Sequence, residues 1–184
     1  TDRHGNVVAL TQTLLSVFGS RLLLPDTGIL MNNGIMWFDP SPGRPNSLAP
    51  GKRPLSNMCP AIVRLPSGDT FAVGASGGRR IVSSCMQLIS FMTDFAMTPE
   101  EAMHQPRIDV GGSDRVLADE ALDESVKSAL QNAFEDVATA QHGVYPSLFG
   151  CPSIASVVPG GGCSTGAAFV TSPLAAAVGE RSLG

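Results

Sequence analysis

The segment that most constrains the fold is residues 61–95, AIVRLPSGDTFAVGASGGRRIVSSCMQLISFMTDF. Two runs of apolar and β-branched residues flank a Pro-Ser-Gly-Asp turn, which predicts a strand, a turn and a second strand. After Gly77 and Gly78 the pattern changes, because apolar residues now recur at i, i+4, i+7 and i+8. These residues are Ile81, Cys85, Leu88, Ile89, Met92 and Phe95. The segment therefore predicts a strand pair that leads directly into an amphipathic helix.

The chain before this segment predicts a turn, a strand and a loop. Asp, Gly and Asn in DRHGN at 2–6 are typical of a turn, and VVALTQTLLSV at 7–17 is typical of a buried strand. We therefore expect the chain to begin at the tip of a hairpin whose first strand precedes Thr1. Prolines and glycines in 39–54 predict a surface loop.

Two helices and two strands are predicted after residue 95. TPEE at 98–101 is a capping box with proline at the first helical position, and Pro106 ends that short helix. A second helix is predicted over 123–137, and short strands around 153–158 and 166–170. The apolar face of the second helix consists of Val126, Leu130, Ala133, Phe134 and Val137. No repeat or linker interrupts the pattern, so residues 1–184 are interpreted as one domain.

Composition excludes several classes of protein. The 184 residues are 43% hydrophobic and 15% charged, which is typical of a globular domain rather than a disordered chain or coiled coil. A formal charge of −4 and a basic cluster limited to Arg79-Arg80 argue against nucleic-acid binding. No apolar run reaches the ~18 residues of a membrane span. The spacing of the cysteines and histidines fits no metal site, and Cys151 and Cys163 are either a disulfide or two ordinary thiols.

Three short motifs are candidates for chemistry. In GASGGRRI, glycines between a strand and a helix would let a substrate approach unpaired backbone amides, as an oxyanion hole requires; the alternative is a tight turn with no ligand. In KRPLSNMCP, Ser56 and Asn57 would bind a carboxylate or simply satisfy their own backbone. In TQT, Thr11 and Thr13 would share a strand face, so that one hydroxyl could contact a nucleophile on the next strand, or they reflect β-propensity alone.

Four motifs, in their order along the chain, resemble the small subunit of γ-glutamyltranspeptidases. They are DRHGNVVALTQTLLSVFGS, GILMNN, GKRPLSNMCP and GASGGRRI. EEAMHQPRI is similar to the family's stretch after the helix, and the resemblance is dense over residues 2–109 and thin afterwards. It implies an α+β fold, the four-layer αββα sandwich of N-terminal-nucleophile hydrolases. Residues 1–184 would then be the small-subunit portion of one domain, which a large subunit from the same self-cleaving precursor completes.

The resemblance also implies roles for particular residues. Gly77 and Gly78 match the glycines whose amides form the oxyanion hole, and Thr13 matches the threonine that hydrogen-bonds the nucleophile. Ser56 and Asn57 match the pair that binds the substrate's α-carboxylate, although the family often has a second serine where Asn57 stands.

Thr1 poses a separate question, because a threonine with a free α-amine can be a catalytic nucleophile. The resemblance places the nucleophilic threonine upstream of Thr1, and Thr1 itself at the end of the preceding strand, beside the turn. We therefore expect Thr1 not to be the nucleophile. Either the sequence begins late, or the polypeptide begins at Thr1 and is inactive.

One part of the family's site differs here. Relatives that recognise a γ-glutamyl group hold its α-amine with an Asn, a Gln and an Asp, whereas Leu15, Gly34 and Trp37 stand at these positions. A desolvated ammonium without partners costs several kcal/mol, so an acyl group without the amine would fit better. The alternative is that Trp37 covers the core and another chain supplies the amine's partner.

The resemblance implies an amidohydrolase or acyltransferase that acts through a threonyl ester on γ-glutamyl or related acyl amides, without a metal or organic cofactor. The alternatives are a cephalosporin- or glutaryl-type acylase, and a non-catalytic homologue. Family analogy suggests a periplasmic or extracellular protein.

Overall fold

A computed structural model of the chain describes residues 1–2, 4–111, 114–143 and 148–158, and the backbone of 164–168. The chain forms two compact units. The smaller unit is Gln12–Asn57, and the larger comprises Thr1–Thr11 and the chain from Met58 onward.

An antiparallel sheet of four described strands organises the larger unit. Its strands lie in the order β1 (Ala61–Arg64), β2 (Thr70–Ser76), β6 (Cys151–Val157) and β7 (Ser164–Ala168). The predicted strand pair of 61–76 is confirmed, with Arg64 opposite Thr70 across the turn. The strands predicted around 153–158 and 166–170 are β6 and β7, and β6 lies beside β2 rather than at the edge.

Helix α1 (Arg80–Thr93) packs its apolar face on this sheet, as the spacing predicts. Ile81, Cys85, Leu88 and Met92 are buried, whereas Phe95 lies beyond the helix and is exposed. Burial raises the pKa of the Cys85 thiol to about 11, and the neighbouring Cys59 adds to the shift, so Cys85 is a core residue and not a reactive thiol.

Helix α2 (Pro99–His104) follows with the predicted capping box. The Thr98 hydroxyl accepts a hydrogen bond from the Glu101 amide at 3.2 Å, and the Glu101 carboxylate accepts one from the Thr98 amide at 2.8 Å. Ala102 and Met103 of α2 are fully buried against α1 and the sheet.

A second sheet contains β3 (Ile108–Asp109), β4 (Val116–Asp119) and β5 (Val137–Ala140). Helix α3 (Glu124–Ala133) connects β4 to β5, which are parallel. The predicted helix over 123–137 is therefore wrong in its last turn: Phe134 is extended, and Val137 pairs with Val116. None of residues 124–133, all of which are described, is buried. The helical pattern continues to Val137, but the parallel ladder forms hydrogen bonds that a longer helix would lose.

The predicted strand over 7–17 is also wrong. No described segment pairs with residues 7–13 in a ladder, and 15–20 form turns in which Leu15 and Phe18 have positive φ angles of 71° and 63°. The side chains are mostly exposed, with Val8, Leu10 and Val17 each more than 70% accessible. β-propensity predicts an extended backbone, but a strand also requires a partner for its hydrogen bonds.

Turns and loops make up the smaller unit. Its one described helix is a 3₁₀ turn, Gly34–Trp37, and isolated bridges join Leu23 to Leu30 and Asp39 to Ser47. Residues 39–54 form the predicted loop. Among the described residues, no helix is long and apolar enough to span a membrane.

Candidate active site

The turn between β2 and α1 has the backbone conformation that its glycines predict. Gly77 has φ +133° and Gly78 has φ +64°, a pair of values that side chains disfavour. Helix α1 begins at Arg80, and its N-cap residue Arg79 makes no described side-chain hydrogen bond to it. The first amides of a helix are not used within it, and the helix dipole favours negative charge beside them.

The two glycines have different surroundings. A Cβ at Gly77 would lie 3.0 Å from the Gly150 Cα, so this residue is packed against the segment that precedes β6. A Cβ at Gly78 would meet no described atom within 4 Å outside its chain neighbours. Gly78 is therefore the side of the turn that a substrate can approach.

An ion pair adjoins the start of α1. The Arg80 Nε lies 3.8 Å from Oδ2 of Asp109, whose carboxylate also accepts a hydrogen bond from the Gly111 amide at 3.3 Å. Asp109 is buried and belongs to β3. The pair connects the first turn of α1 to the second sheet.

The two threonines of TQT have separate environments. Because 7–17 is not a strand, they share no strand face. The Thr11 hydroxyl lies near Gly74 of β2, where an added Cβ would be 3.9 Å from it. The Thr13 hydroxyl accepts a hydrogen bond from the Leu15 amide at 2.9 Å, which supports the positive φ of Leu15.

In the smaller unit, Asn33 connects Leu15 to the 3₁₀ turn. The Asn33 amide donates to the Leu14 carbonyl at 3.1 Å, and its side-chain oxygen accepts from the Ser16 amide at 3.1 Å. Leu15 and Gly34, which stand where γ-glutamyl-recognising relatives have polar amine-binding residues, thus occupy neighbouring segments. A Cβ at Gly34 would lie 3.1 Å from the Asn32 side-chain oxygen and 3.3 Å from the Trp37 ring, so these two groups occupy the space that a side chain at position 34 would need.

Asn46 connects the same turn to the Ser56-Asn57 segment. Its side-chain nitrogen donates to the Trp37 carbonyl at 2.7 Å, and its oxygen accepts from the Leu55 amide at 2.9 Å. Ser56 is exposed and Asn57 half-buried. Sequence analysis missed Asn46, because an asparagine in a Pro/Gly-rich loop has no distinguishing spacing.

Thr1 precedes the predicted turn, which is present. The Asp2 amide donates to the Asn6 carbonyl at 3.1 Å, and the Asp2 carboxylate accepts from the amides of His4 and Asn6. Hydrogen bonds from Asn6 lower the pKa of Asp2. Thr1 itself is exposed.

A buried polar network joins residues in and next to the strands of the second sheet. The His142 Nδ1 is 3.1 Å from the Asp119 carboxylate, and its Nε2 is 3.2 Å from the Arg107 guanidinium. Burial lowers the pKa of Arg107 to about 10, while Asp119 opposes the shift. Burial, followed by the charge of Arg107, also lowers the pKa of His142. The geometry fits a neutral imidazole that donates to Asp119 and accepts from Arg107.

The structure describes no metal centre: among its described residues, no three His, Cys, Asp or Glu side chains are grouped to hold an ion. Cys151 is half-buried, and Cys163, with which the sequence allows a disulfide, lies outside the described residues.

Comparisons with known proteins identify the family of the chain. The family model for γ-glutamyltranspeptidase matches residues 1–149. The glutathione hydrolase proenzyme of Bacillus subtilis (strain 168) is 40% identical over 107 residues, which cover 58% of this chain and 18% of the relative. The acylase ACY 1 proenzyme of Pseudomonas sp. (strain SE83) is 40% identical over 129 residues, 70% of this chain and 23% of the relative.

A solved structure, a threonine-to-alanine mutant of Helicobacter pylori γ-glutamyltranspeptidase, matches with a TM-score of 0.76 and 28% identity, covering 94% of this chain and 97% of that one. The fold is α+β and of the N-terminal-nucleophile hydrolase type, as the resemblance implied. The chain belongs to the γ-glutamyltranspeptidase family. It spans about a fifth of the length of the two curated relatives.

Proposed function

We propose that the chain is the small-subunit portion of an amidohydrolase or acyltransferase that acts through an N-terminal threonyl ester. The observation that carries this proposal is the turn at Gly77 and Gly78, with its open side at Gly78 and a helix that begins directly after it. Backbone amides at such a turn are suited to stabilise an oxyanion. The family relationship supports the same activity.

In the proposed reaction, a threonine upstream of Thr1 is the nucleophile. Its hydroxyl attacks the amide carbonyl while its own α-amine takes the proton, and the amides of Gly77 and Gly78 stabilise the oxyanion. The amine product leaves with that proton as the C–N bond breaks, and a threonyl ester remains. Water or an acceptor amine then releases the acyl group. Thr13 assists the nucleophile, and Ser56 and Asn57 bind the substrate carboxylate.

The partner in this proposal is a large subunit from the same precursor. The relatives named proenzymes support it. Large apolar side chains that are exposed in each unit support it as well, because isolated proteins rarely leave large apolar areas exposed. Within residues 7–18, the most exposed of these side chains are Val8, Leu10, Val17 and Phe18.

The proposed substrates are γ-glutamyl or related acyl amides, such as glutathione-like molecules. A glutaryl- or cephalosporin-type acylase is the second candidate. Trp37 favours it, since an aromatic side chain stands where relatives that recognise the amine have a polar one. The similarity to an acylase proenzyme also supports it.

Release of nitroaniline from γ-glutamyl- and glutaryl-p-nitroanilide, by the full-length self-cleaved protein, tests both candidates. These substrates differ only by the α-amine. Faster γ-glutamyl cleavage supports a transpeptidase, and faster glutaryl cleavage supports an acylase. If neither is cut and the precursor remains whole, the enzyme proposal is wrong and the chain is a non-catalytic homologue.

A further inference from the structure

Gly150 lies beside the Gly77-Gly78 turn although it is distant in sequence. It immediately precedes β6, whose first residue, Cys151, pairs with Ser76 at the end of β2. The end of β2 is therefore paired with the start of β6 beside the turn, so the backbone of Gly150 lies against the start of the turn.

The surroundings of Gly150 leave little room for a side chain. A Cβ there would lie 3.2 Å from the Ser84 Cβ, 3.4 Å from the Ser84 hydroxyl and 3.5 Å from the Ser76 carbonyl oxygen. Its φ of +74° also favours glycine. Ser84 is a buried residue of α1. Gly150 is thus enclosed by α1 on one side and by the end of β2 on the other.

The residue before Gly150 fixes its position. Phe149 is 1% exposed, and its ring lies 5.2 Å from that of His142, centroid to centroid. The Asp119 carboxylate holds His142 in turn. With Phe149 buried and Cys151 in the ladder, Gly150 has little freedom to move away from Gly77.

We propose that Gly150 is a positioning residue for the oxyanion turn: its missing side chain sets the spacing between α1 and the end of β2, and so the direction of the Gly77 and Gly78 amides. The proposal rests on the function proposed above. Interiors are close-packed, so a methyl group inserted here requires Ser84 of α1 or the turn to shift by a few tenths of an ångström.

The test is Gly150→Ala in the full-length protein. We expect kcat to fall by about 10- to 100-fold, which is no more than the decrease in kcat when one oxyanion donor is removed. KM should remain within about twofold of the wild-type value. A folding defect alone would reduce the amount of active enzyme, which active-site titration separates from kcat.

Gly43→Ala is the matched control. Gly43 has φ +77°, close to the φ of Gly150, but a Cβ there meets no described atom within 4 Å outside its chain neighbours. It therefore carries the same backbone strain without the contact, and we expect unchanged kcat. Equal losses in the two variants would overturn the proposal.

Gly150→Ala combined with Ser84→Gly is the rescue variant. Ser84→Gly removes both Ser84 atoms that the new methyl group would meet, so kcat should recover about tenfold or more relative to Gly150→Ala. If Gly150→Ala does not fold, the double variant decides: a folded, active double variant supports the proposal, and an inactive or unfolded one overturns it.

Crystal structures of the same proteins provide a readout without turnover. The Gly77 and Gly78 amide nitrogens should shift in Gly150→Ala and remain in place in Gly43→Ala. If the wild type cleaves neither anilide, the proposed function fails while this structural comparison still tests the role of Gly150. Unmoved amides in Gly150→Ala would overturn it.

Discussion

At the scale of single residues, the site depends on what surrounds each glycine. Gly77 and Gly78 are adjacent, yet a Cβ at Gly77 would meet the Gly150 backbone at 3.0 Å, whereas a Cβ at Gly78 would meet no described atom within 4 Å. Backbone cannot move aside as the end of a flexible side chain can. Identical residue types therefore have different tolerances within one turn.

Gly78→Ala and Gly77→Ala should separate activity from stability. Gly77→Ala should lower the free energy of unfolding by about 2 kcal/mol or more through overpacking and strain. Gly78→Ala should cost about 1 kcal/mol for its backbone conformation, but kcat should fall about 100-fold because the methyl group occupies the side open to substrate. Thermal unfolding and anilide kinetics measure the two effects, and a Gly78→Ala enzyme with unchanged kcat would contradict the assignment.

Trp37→Asp should change the preferred acyl group. The new carboxylate can form a charge-assisted hydrogen bond with a substrate ammonium, so the γ-glutamyl to glutaryl ratio of kcat/KM should rise by about 10- to 100-fold. Ile35→Asp adds the same charge to the same 3₁₀ turn at an exposed position and is the control. An equal change in both variants would show a general charge effect instead.

At the scale of elements, local sequence signals act most clearly at helix ends. The capping box of α2 uses both the side chain of Thr98 and that of Glu101. Helix α1 begins without such a cap, at the turn assigned to substrate. This difference is the one expected when a helix terminus is reserved for a ligand rather than for its own stability.

Thr98→Ala should therefore lower the free energy of unfolding by about 1 kcal/mol, the usual value for a lost N-cap. Thr98→Ser keeps the oxygen that accepts from the Glu101 amide and is the matched control. Chemical denaturation measures both. If Thr98→Ser is destabilised as much as Thr98→Ala, packing of the threonine methyl group accounts for the effect.

The network around His142 predicts that the stability of the folded chain depends on pH. Its pKa is lowered in the folded chain, so the unfolded chain binds the proton more readily. Stability is then complete above the unfolded pKa of about 6.5 and falls as pH decreases below it. His142→Gln should flatten this decrease, measured by denaturation between about pH 7 and 5. A slope unchanged in His142→Gln would contradict the prediction.

At the scale of the whole molecule, many large apolar side chains remain exposed. Val8 and Leu10 belong to the larger unit, and Val17, Phe18, Leu22, Leu23 and Ile29 belong to the smaller one. We attribute their exposure to the proposed large subunit, which would cover them in the assembled protein.

Residues 1–184 expressed without the precursor should therefore self-associate and bind a hydrophobic dye, whereas the full-length precursor should do neither. Light scattering after size-exclusion chromatography measures the association. Val8→Ser with Leu10→Ser should reduce it in the isolated chain. A monodisperse isolated chain without dye binding would contradict the idea that a partner covers this surface.

The sequence by itself determined the features whose signals are local. The hairpin of β1 and β2, the glycine turn, the start of α1 and the cap of α2 each depend on neighbouring residues, and motifs in a fixed order identified the family. Helix periodicity also placed Ile81, Cys85, Leu88 and Met92 in the core before any contact was known.

Only the tertiary structure decided features that require a distant partner. Residues 7–17 have strand propensity, but no described segment supplies the hydrogen bonds of a ladder. Val137 continues a helical pattern, but pairing with Val116 draws it into β5. Gly150 and Asn46 matter through what they contact, and contact between residues far apart in sequence leaves no periodic signal. The physical reason is the same in each case. Propensity is a property of one segment of the chain, whereas strand pairing and side-chain packing depend on two segments that are distant in sequence.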